Sequence, residues 1–406
     1  PVTGFWRSNM TLADLDGDGS PEIVTPPPRL SGATFRVFRF DGGRWVLVEP
    51  RLEGGEEERL RFGYGGVDVA DMDGDGKLDV LGVGHGYGPV VAYNLGDFRF
   101  RLEARGLPRK MSGRAISAGD LDGDGLMDIV ALSDEPEGSR KRQREERAAV
   151  YTQMTGEKPA ENPETDGDTE GLDARAFFGV KGGGFAERSK GLENACFGYS
   201  LELSASPSDA GNPYHVSGCR YQGGRALLYE YDRAAREFRH VGRGVVEEYS
   251  FHSGAAVGTY RGLPAAFTTW VKGNAPGADK KPIRGHGVSV YYREGGAWKS
   301  KRLVKVLADI GDEAAGIAAG DLNGDGLDDV AWADDSLGRV RVFFQTKDGE
   351  FQELDPALQP TYVNHSMSMA IVDVDRDGRK DIVLMYEYRT TDKTRAGGLR
   401  FFRNAG

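Results

Sequence analysis

Positions 1, 3, 5 and 9 of five short loops hold nineteen of the chain's 63 acidic residues and one Asn. The candidate ligand sets are Asp14, Asp16, Asp18 and Glu22; Asp71, Asp73, Asp75 and Asp79; Asp120, Asp122, Asp124 and Asp128; Asp321, Asn323, Asp325 and Asp329; and Asp373, Asp375, Asp377 and Asp381. Each loop reads D-x-[DN]-x-D-G-x-x-[DE]. That spacing suits a hard divalent cation such as Ca2+, which takes roughly six to eight oxygens. Side chains at positions 1, 3 and 5 of a tight loop converge, and Gly at position 6 allows the sharp turn. Position 7 would contribute only its backbone carbonyl, which leaves its side chain free to vary, as it does in Ser20, Lys77, Leu126, Leu327 and Arg379. The acid at position 9 closes the site. The expected cofactor is Ca2+, about five ions, in a structural role.

Such loops need rigid elements on both sides. Each is followed at once by apolar residues: Ile23-Val24, Val80-Leu81, Ile129-Val130, Val330-Ala331 and Ile382-Val383. These stretches are short and punctuated by Gly, which reads as strands. An EF-hand would need flanking helices and Glu at position 12; that position holds Thr25, Gly82, Ala131, Trp332 and Leu384. A sixth acidic stretch, Asp166–Asp173, has its last acid one residue early and no strand pattern before it. The loops start 57, 49, 201 and 52 residues apart. The long gap has room for two more repeats, and two copies without the acidic loop fit it: Phe197–Ser204, and Ser253–Tyr260 followed by Ala265–Trp270. Seven repeats of a few short strands predict an all-β fold, a seven-bladed β-propeller spanning 1–406 as one domain. Blades are expected near 8–54, 62–106, 112–190 (with an insertion at 134–175), 196–242, 251–306, 314–358 and 366–406.

With these residues in view, the chain resembles the FG-GAP/VCBS repeat family of seven-bladed calcium-loop propellers, related to the integrin α-subunit head. Phe197-Gly-Tyr-Ser200 and Phe62-Gly-Tyr-Gly65 echo the motif that names the family. The resemblance implies four strands per blade, A to D from the axis outward, with the acidic loop joining A to B on the bottom face. The top face then carries the B–C loops and the links from D to the next A. No single function is implied, because the family holds adhesion heads, lectins and polysaccharide lyases.

The formal charge of −11 is mostly a property of the loops. Outside their nineteen carboxylates, 44 acids face 52 Lys+Arg, so the acidity reads as metal ligation and not as a repulsive surface. No apolar run reaches the ~18–20 residues of a helical membrane span. Two Cys exclude a disulfide-rich scaffold and a four-Cys zinc site. The six His show no HExxH spacing, and neither a GxxxxGK[ST] phosphate loop nor a GxSxG elbow is present. The basic run Arg140–Arg147, read as a short charged helix, is followed by acids with no interleaved aromatics, which speaks against nucleic acid. Pro1 stands where an initiator Met would, which fits a leader already removed.

Strand B can be aligned across blades from position 9. The residue six places on is His85, Asp134, Asp335 or Glu387, each expected near the top mouth of the ring. Links into strand A add Tyr64, Tyr199, His252 and His365, with Tyr249 and Tyr362 nearby. The candidate ligand-binding set is His85, Tyr87, Asp335, Glu387, His252, His365 and Tyr199. A polar, aromatic rim suits sugars, whose C–H faces stack on rings and whose hydroxyls donate to carboxylates. A His–Tyr pair would also serve as base and acid in β-elimination of a uronic-acid polysaccharide, but no catalytic set stands out and none is assigned. The unequal B–C loops and the insertion at 134–175 offer places for a partner.

Cys196 and Cys219 fall at the top end of one expected hairpin in blade 4, so a disulfide is geometrically open, the alternative being two free thiols. A disulfide and calcium loops both point to an extracellular, cell-surface or periplasmic setting. Blade 7 has sequence for A (near Ser366–Val372), B (Asp381–Tyr386) and C (Gly398–Arg403) but not for D. Its edge is expected to be closed by Pro1–Phe5 or left open to a partner strand. The functional expectation is a secreted or cell-surface, calcium-stabilised module that binds glycan or protein. A polysaccharide lyase and a structural subunit of a surface assembly are the alternatives.

Overall fold

The apolar pairs after the acidic loops are buried on both sides, Ile23-Val24, Val80-Leu81, Ile129-Val130 and Val330-Ala331 among them. A strand inside a sheet that is covered on both faces must be apolar in consecutive positions, not alternating ones. The computed structural model describes residues 9–27, 34–63, 65–84, 87–109, 111, 113–133, 174–192, 198–204, 212–219, 226–242, 245, 250–251, 254–272, 286–306, 316–362, 365–389 and 395–406.

Seven sheets follow one another along the chain. Blade 1 is β1 (Thr11–Ala13), β2 (Glu22–Thr25), β3 (Arg36–Asp41) and β4 (Arg44–Val48). After β5 (Arg51–Glu53) and the short helix α1 (Glu56–Arg61), blade 2 is β6 (Gly66–Ala70), β7 (Asp79–Val83), β8 (Val90–Asn94) and β9 (Arg99–Glu103). Blade 3 is β10 (Gly113–Gly119), β11 (Asp128–Ser133), β12 (Arg175–Gly179) and β13 (Phe185–Glu187). Blade 4 is β14 (Gly198–Ser204), β15 (Tyr214–Cys219), β16 (Leu227–Asp232) and β17 (Glu237–His240). In blade 5, β18 (Ser250–Phe251) and β19 (Ala255–Tyr260) both pair with β20 (Leu263–Lys272), which leads to β21 (His286–Glu294) and β22 (Ala297–Val306). Blade 6 is β23 (Ile317–Gly320), β24 (Asp329–Asp334), β25 (Arg339–Gln345) and β26 (Phe351–Glu353). Blade 7 is β27 (His365–Val372), β28 (Asp381–Arg389) and β29 (Arg395–Phe402), three strands among the described residues.

The first strands of successive sheets touch in a cycle, β1 to β6, β10, β14, β19, β23, β27 and back to β1. The fold is therefore an all-β, seven-bladed propeller, with one short helix among the described residues. Two features were not anticipated. β5 leaves blade 1 and adds to blade 2 in parallel, pairing Arg51 with Arg99. Behind it, α1 carries Glu56, Glu57 and Glu58 in its first turn, where carboxylates favour the helix dipole. Its buried Arg61 donates to the carbonyls of Pro89 (3.1 Å) and Pro108 (2.8 Å). The expected insertion lies outside the described residues apart from Ala174 and Arg175.

Each seam between blades has its own apolar core. The residue at position 2 of every acidic loop is buried in the core between its own blade and the next. Leu15 enters the core of blades 1 and 2, Met72 that of 2 and 3, Leu121 that of 3 and 4, Leu322 that of 6 and 7, and Val374 that of 7 and 1. The two blades without acidic loops are joined to the next blade by other means. Trp298 Nε1 donates to Glu230 Oε1 (2.7 Å) and Tyr214 Oη to the carbonyl of Ala265 (2.9 Å) between blades 4 and 5. Tyr260 Oη donates to the carbonyl of Gly349 (2.7 Å) between blades 5 and 6. The first hairpin of blade 5 is closed by Arg261-Gly262, with φ of +54° and +70°, a two-residue turn matched to strand twist.

Leu121 packs with Leu201, Tyr231 and Phe238 across the blade 3–4 seam. Leu121→Ala should therefore cost about 2–5 kcal/mol by opening a cavity, read as a drop in the thermal unfolding midpoint.

Candidate metal centres

Each loop is first organised by its own backbone. Position 1 accepts the position 4 N–H in four loops, from Gly17, Gly74, Gly123 and Gly324 at 2.7–2.8 Å. In all five it also accepts the N–H of position 6, as in Gly19 to Asp14 Oδ2 (2.7 Å) and Gly378 to Asp373 Oδ2 (2.9 Å). Position 5 accepts the N–H of position 7, as in Ser20 to Asp18 Oδ1 (2.7 Å) and Leu126 to Asp124 Oδ1 (2.9 Å). The Gly residues at positions 4 and 6 have φ from +75° to +87°, a left-handed conformation that Gly adopts without steric cost. Blade 7 alone breaks this pattern, with Arg376 at position 4 and φ of +60°.

The carboxylate at position 9 is the buried anchor. Glu22, Asp79, Asp128, Asp329 and Asp381 are all essentially inaccessible. Each accepts the position 2 N–H, from Leu15, Met72, Leu121, Leu322 and Val374 at 2.8–3.1 Å. In four blades the second oxygen accepts an N–H at the end of the third strand: Asn94 (2.7 Å), Gly179 (3.0 Å), Gln345 (2.9 Å) or Asn404 (2.8 Å). Burial, opposed by these hydrogen bonds and reinforced by the neighbouring acids, pushes Glu22, Asp79 and Asp128 up to about 7 and Asp329 up to about 6. Asp381 is raised for the same reasons.

Four loops bring three carboxylates to within 4.8 Å of one another: Asp14, Asp16 and Asp18; Asp71, Asp73 and Asp79; Asp120, Asp122 and Asp128; and Asp373, Asp375 and Asp381. At that distance two like charges repel by about 3 kcal/mol at an effective dielectric near 20. Glu22 Oε1, Asp122 Oδ1, Asp373 Oδ1 and Asp375 Oδ1 are buried with no hydrogen-bond partner among the described residues. Orphaned buried oxygens within clustered hard donors fit a divalent cation such as Ca2+. Blade 6 differs because Asn323 replaces an acid. Its amide donates to Asp325 Oδ2 (3.1 Å) while its carbonyl accepts the Asp325 N–H (3.0 Å).

Position 7 side chains are less idle than their variability suggests. Lys77 Nζ pairs with Asp75, and Arg379 Nη2 with Asp377. Other cations come from strand ends: Arg188 Nη1 donates to Asp122 Oδ2 (2.8 Å), and Arg403 Nε reaches Asp375 Oδ2 (2.7 Å). Side chains of the following blade also clamp the preceding loop. Asn94 Nδ2 donates to the carbonyl of Leu15 (2.8 Å), Arg233 Nε to that of Leu121 (2.9 Å) and Asn404 Nδ2 to that of Leu322 (2.7 Å). The strand register singles out the clamp position, two residues beyond the partner of position 10, but nothing in the loop pattern itself points to it.

The opposite end of the blades received most of the ligand-binding candidates. Asp335 lies there, but its carboxylate is engaged by Tyr362 Oη and by the Ser366 N–H (3.1 Å). Burial, then the Asp335 charge, pushes the Tyr362 phenol up. Tyr87 is half-buried, and its N–H donates to the carbonyl of Gly84 (3.0 Å). The register sets His365 opposite Glu387 at the end of blade 7; only their backbones, and that of Tyr199, are described. His85, Asp134, His252, Tyr64 and Tyr249 lie outside the described residues. So does Cys196, while Cys219 is described only by its backbone, paired with Gly198. The candidate disulfide and the closure of blade 7 by Pro1–Phe5 therefore fall outside them too.

A ring of seven radial sheets, with acidic turns at one end of five, defines a propeller whose blades carry cation-type loops. A family model described as an FG-GAP-like repeat matches the chain three times, over residues 14–82, 71–131 and 321–384. The chain is a seven-bladed β-propeller carrying FG-GAP-like repeats. Each match begins at one acidic loop and ends in the strand that follows the next. No curated protein matches the chain. Among the described residues no helix is long and apolar enough to cross a membrane.

The buried position 9 carboxylates predict how stability varies with pH. A carboxyl raised in the folded state contributes stability that is complete below its unfolded value, near 4, and is lost as pH rises through its folded value. In chelator, the unfolding midpoint should fall from about pH 5 to about pH 8 as Glu22, Asp79, Asp128 and Asp329 ionise. In millimolar Ca2+ the same groups are held ionised, and the slope should flatten or reverse. Thermal scans across pH in both conditions test this directly.

Proposed function

We propose that the chain is a calcium-stabilised binding module of the extracellular space, cell surface or periplasm. It would recognise glycan or protein through the loops at the end of the ring opposite the acidic turns. The observation that carries this is the way each acidic loop is fastened to a seam. Its position 2 side chain lies in the core between two blades, and its position 9 carboxylate is buried beneath it. A cation there would hold blades together and would not face a ligand. Five ions in blades 1, 2, 3, 6 and 7 are the proposed complement, with blade 6 the least acidic site.

Recognition would then fall to the other face, where connections between second and third strands vary most. They run from the tight turn 335–338 in blade 6 to the long stretch 134–174 in blade 3. Loops of unequal length on a rigid frame are where binding usually resides. His365 opposite Glu387 supports a polar rim at blade 7. The last strand of blade 7, β29, has one sheet neighbour among the described residues, which favours a second use as a docking edge in a surface assembly.

Binding to a panel of neutral and acidic polysaccharides, with calcium present, tests the glycan proposal. Retention by one class would support it and name the polymer on which to assay cleavage; silence across the panel would remove glycan as the ligand. The structural role of calcium is tested separately. A strong chelator should lower the unfolding midpoint by several degrees and speed proteolysis, and an unchanged midpoint would remove calcium from the account.

A further inference from the structure

We propose, on the calcium reading of the loops, that Arg376 is a latch between the acidic loops of blades 7 and 1. The seam it spans is the one at which the ring opens first when divalent cation is withdrawn. At three other seams the following blade clamps the loop behind it through Asn94, Arg233 or Asn404, while at the blade 2–3 seam the equivalent position is Gly179, which has no side chain to donate. Counting from the strand register, the position of Asn94 and Asn404 is filled in blade 1 by Phe40. A phenyl ring has no donor for the carbonyl of Val374; it packs against Phe401 of blade 7 instead, with ring centroids 5.1 Å apart.

The bridge at this seam runs the other way. Arg376 Nη2 donates to both the carbonyl oxygen and Oδ1 of Asp18, at position 5 of the blade 1 loop. Its guanidinium packs over Gly19, 3.6 Å from where a Cβ would stand, an ordinary contact distance. Arg376 takes φ of +60° at a place where the other four loops have Gly. A bulky residue persists in that conformation only where its surroundings hold it. Both partners are about half exposed, so the pair alone holds little in salt. It can act only while both loops keep their shape.

Two arginines also compete with a cation for the carboxylates of the blade 7 loop. Arg403 Nε lies 2.7 Å from Asp375 Oδ2 and its Nη2 3.1 Å from Asp377 Oδ2, with Arg379 on the same Asp377. Each fixed positive charge weakens the pull on a divalent ion. Asp373 Oδ1, whose counterparts accept the position 4 N–H, is left buried and unpaired among the described residues. The next residue, Val374, enters the seam core with Met10, Ile23 and Phe38. Losing the ion there would loosen that core in a blade with three described strands.

Hydrogen–deuterium exchange of the full chain, in a series of buffered free Ca2+ concentrations, tests the latch. Peptides from 9–25 and 366–389 should lose protection at free Ca2+ at least about threefold higher than peptides covering the blade 3–4 seam. With saturating Ca2+, Arg376→Gly should speed exchange at the blade 7–1 seam about tenfold and leave blades 3 and 4 unchanged. Arg233→Ala should do the reverse. Arg403→Met should strengthen the blade 7 site and move its transition to lower free Ca2+, an effect that mere packing would not produce. Simultaneous loss of protection at all five loops, or an unaltered seam in Arg376→Gly, would overturn the latch while leaving calcium in place. Exchange indifferent to chelator everywhere would overturn both.

Discussion

A buried carboxylate that accepts one or two backbone N–H groups, with further acids in the loop above it, is the constraint on which the ring depends. Glu22, Asp79, Asp128, Asp329 and Asp381 each close a loop, start a strand and receive the N–H of a residue committed to the next seam. Burying such a group is costly unless its charge is met. The hydrogen bonds meet part of it, and the groups still sit well above the usual carboxylate range. What is left is a demand for a proton or a cation. That demand ties the chemistry of the acidic loop to strand pairing and strand pairing to blade packing, so one group acts at three levels.

Blades 4 and 5 show what replaces it. Blade 5 makes the same connection with a two-residue turn, and Thr259, just before it, is held by Asp328 Oδ2 from the neighbouring acidic loop (2.7 Å from its N–H). Gln345 of blade 6 donates to the carbonyl of Thr259 (3.2 Å), doing for this turn what Asn94 does for a loop. Between blades 4 and 5, Glu230 is met by Trp298 and Arg293. At these seams the described polar groups are met by side chains of the neighbouring blade.

Much of this was legible in the residues. The D-x-[DN]-x-D-G pattern locates the loops, and the apolar pairs behind them locate the second strands, because both effects are local in sequence. The two degenerate repeats were found from their strands alone, and β14 and β19 lie within them. Other features depend on distant partners and left no local mark. β5 joins blade 2 through pairing with Arg99–Arg101, and Arg51-Leu-Glu53 has no special β signature. Asp335 was set at the rim by its register. Its hydrogen-bond partners there, Tyr362 and Ser366, lie towards the next blade, and no spacing argument connects them to it. Asp68 and Glu202 sit on the inner strands β6 and β14, far apart in sequence. Burial and the charge of Asp68 push Glu202 up to about 8, a coupling visible only once the ring is closed.

A closed ring is held by its seams in series, and among the described residues each blade packs chiefly against its two neighbours. In such an array, stability is roughly a sum of units and nearest-neighbour interfaces. Opening requires one interface to fail, so the weakest seam sets the tolerance of the whole, however strong the others are. The seam between blades 7 and 1 brings together the described strands that lie farthest apart in sequence. Here Met10 donates its N–H to Ser368 Oγ (3.3 Å), Phe40 meets Phe401, and Arg376 reaches Asp18. None of these is the amide clamp that Asn94 and Asn404 supply at the blade 1–2 and 6–7 seams. Fastening of the described loops is thus uneven from seam to seam, and the tolerance of the ring follows the least fastened of them.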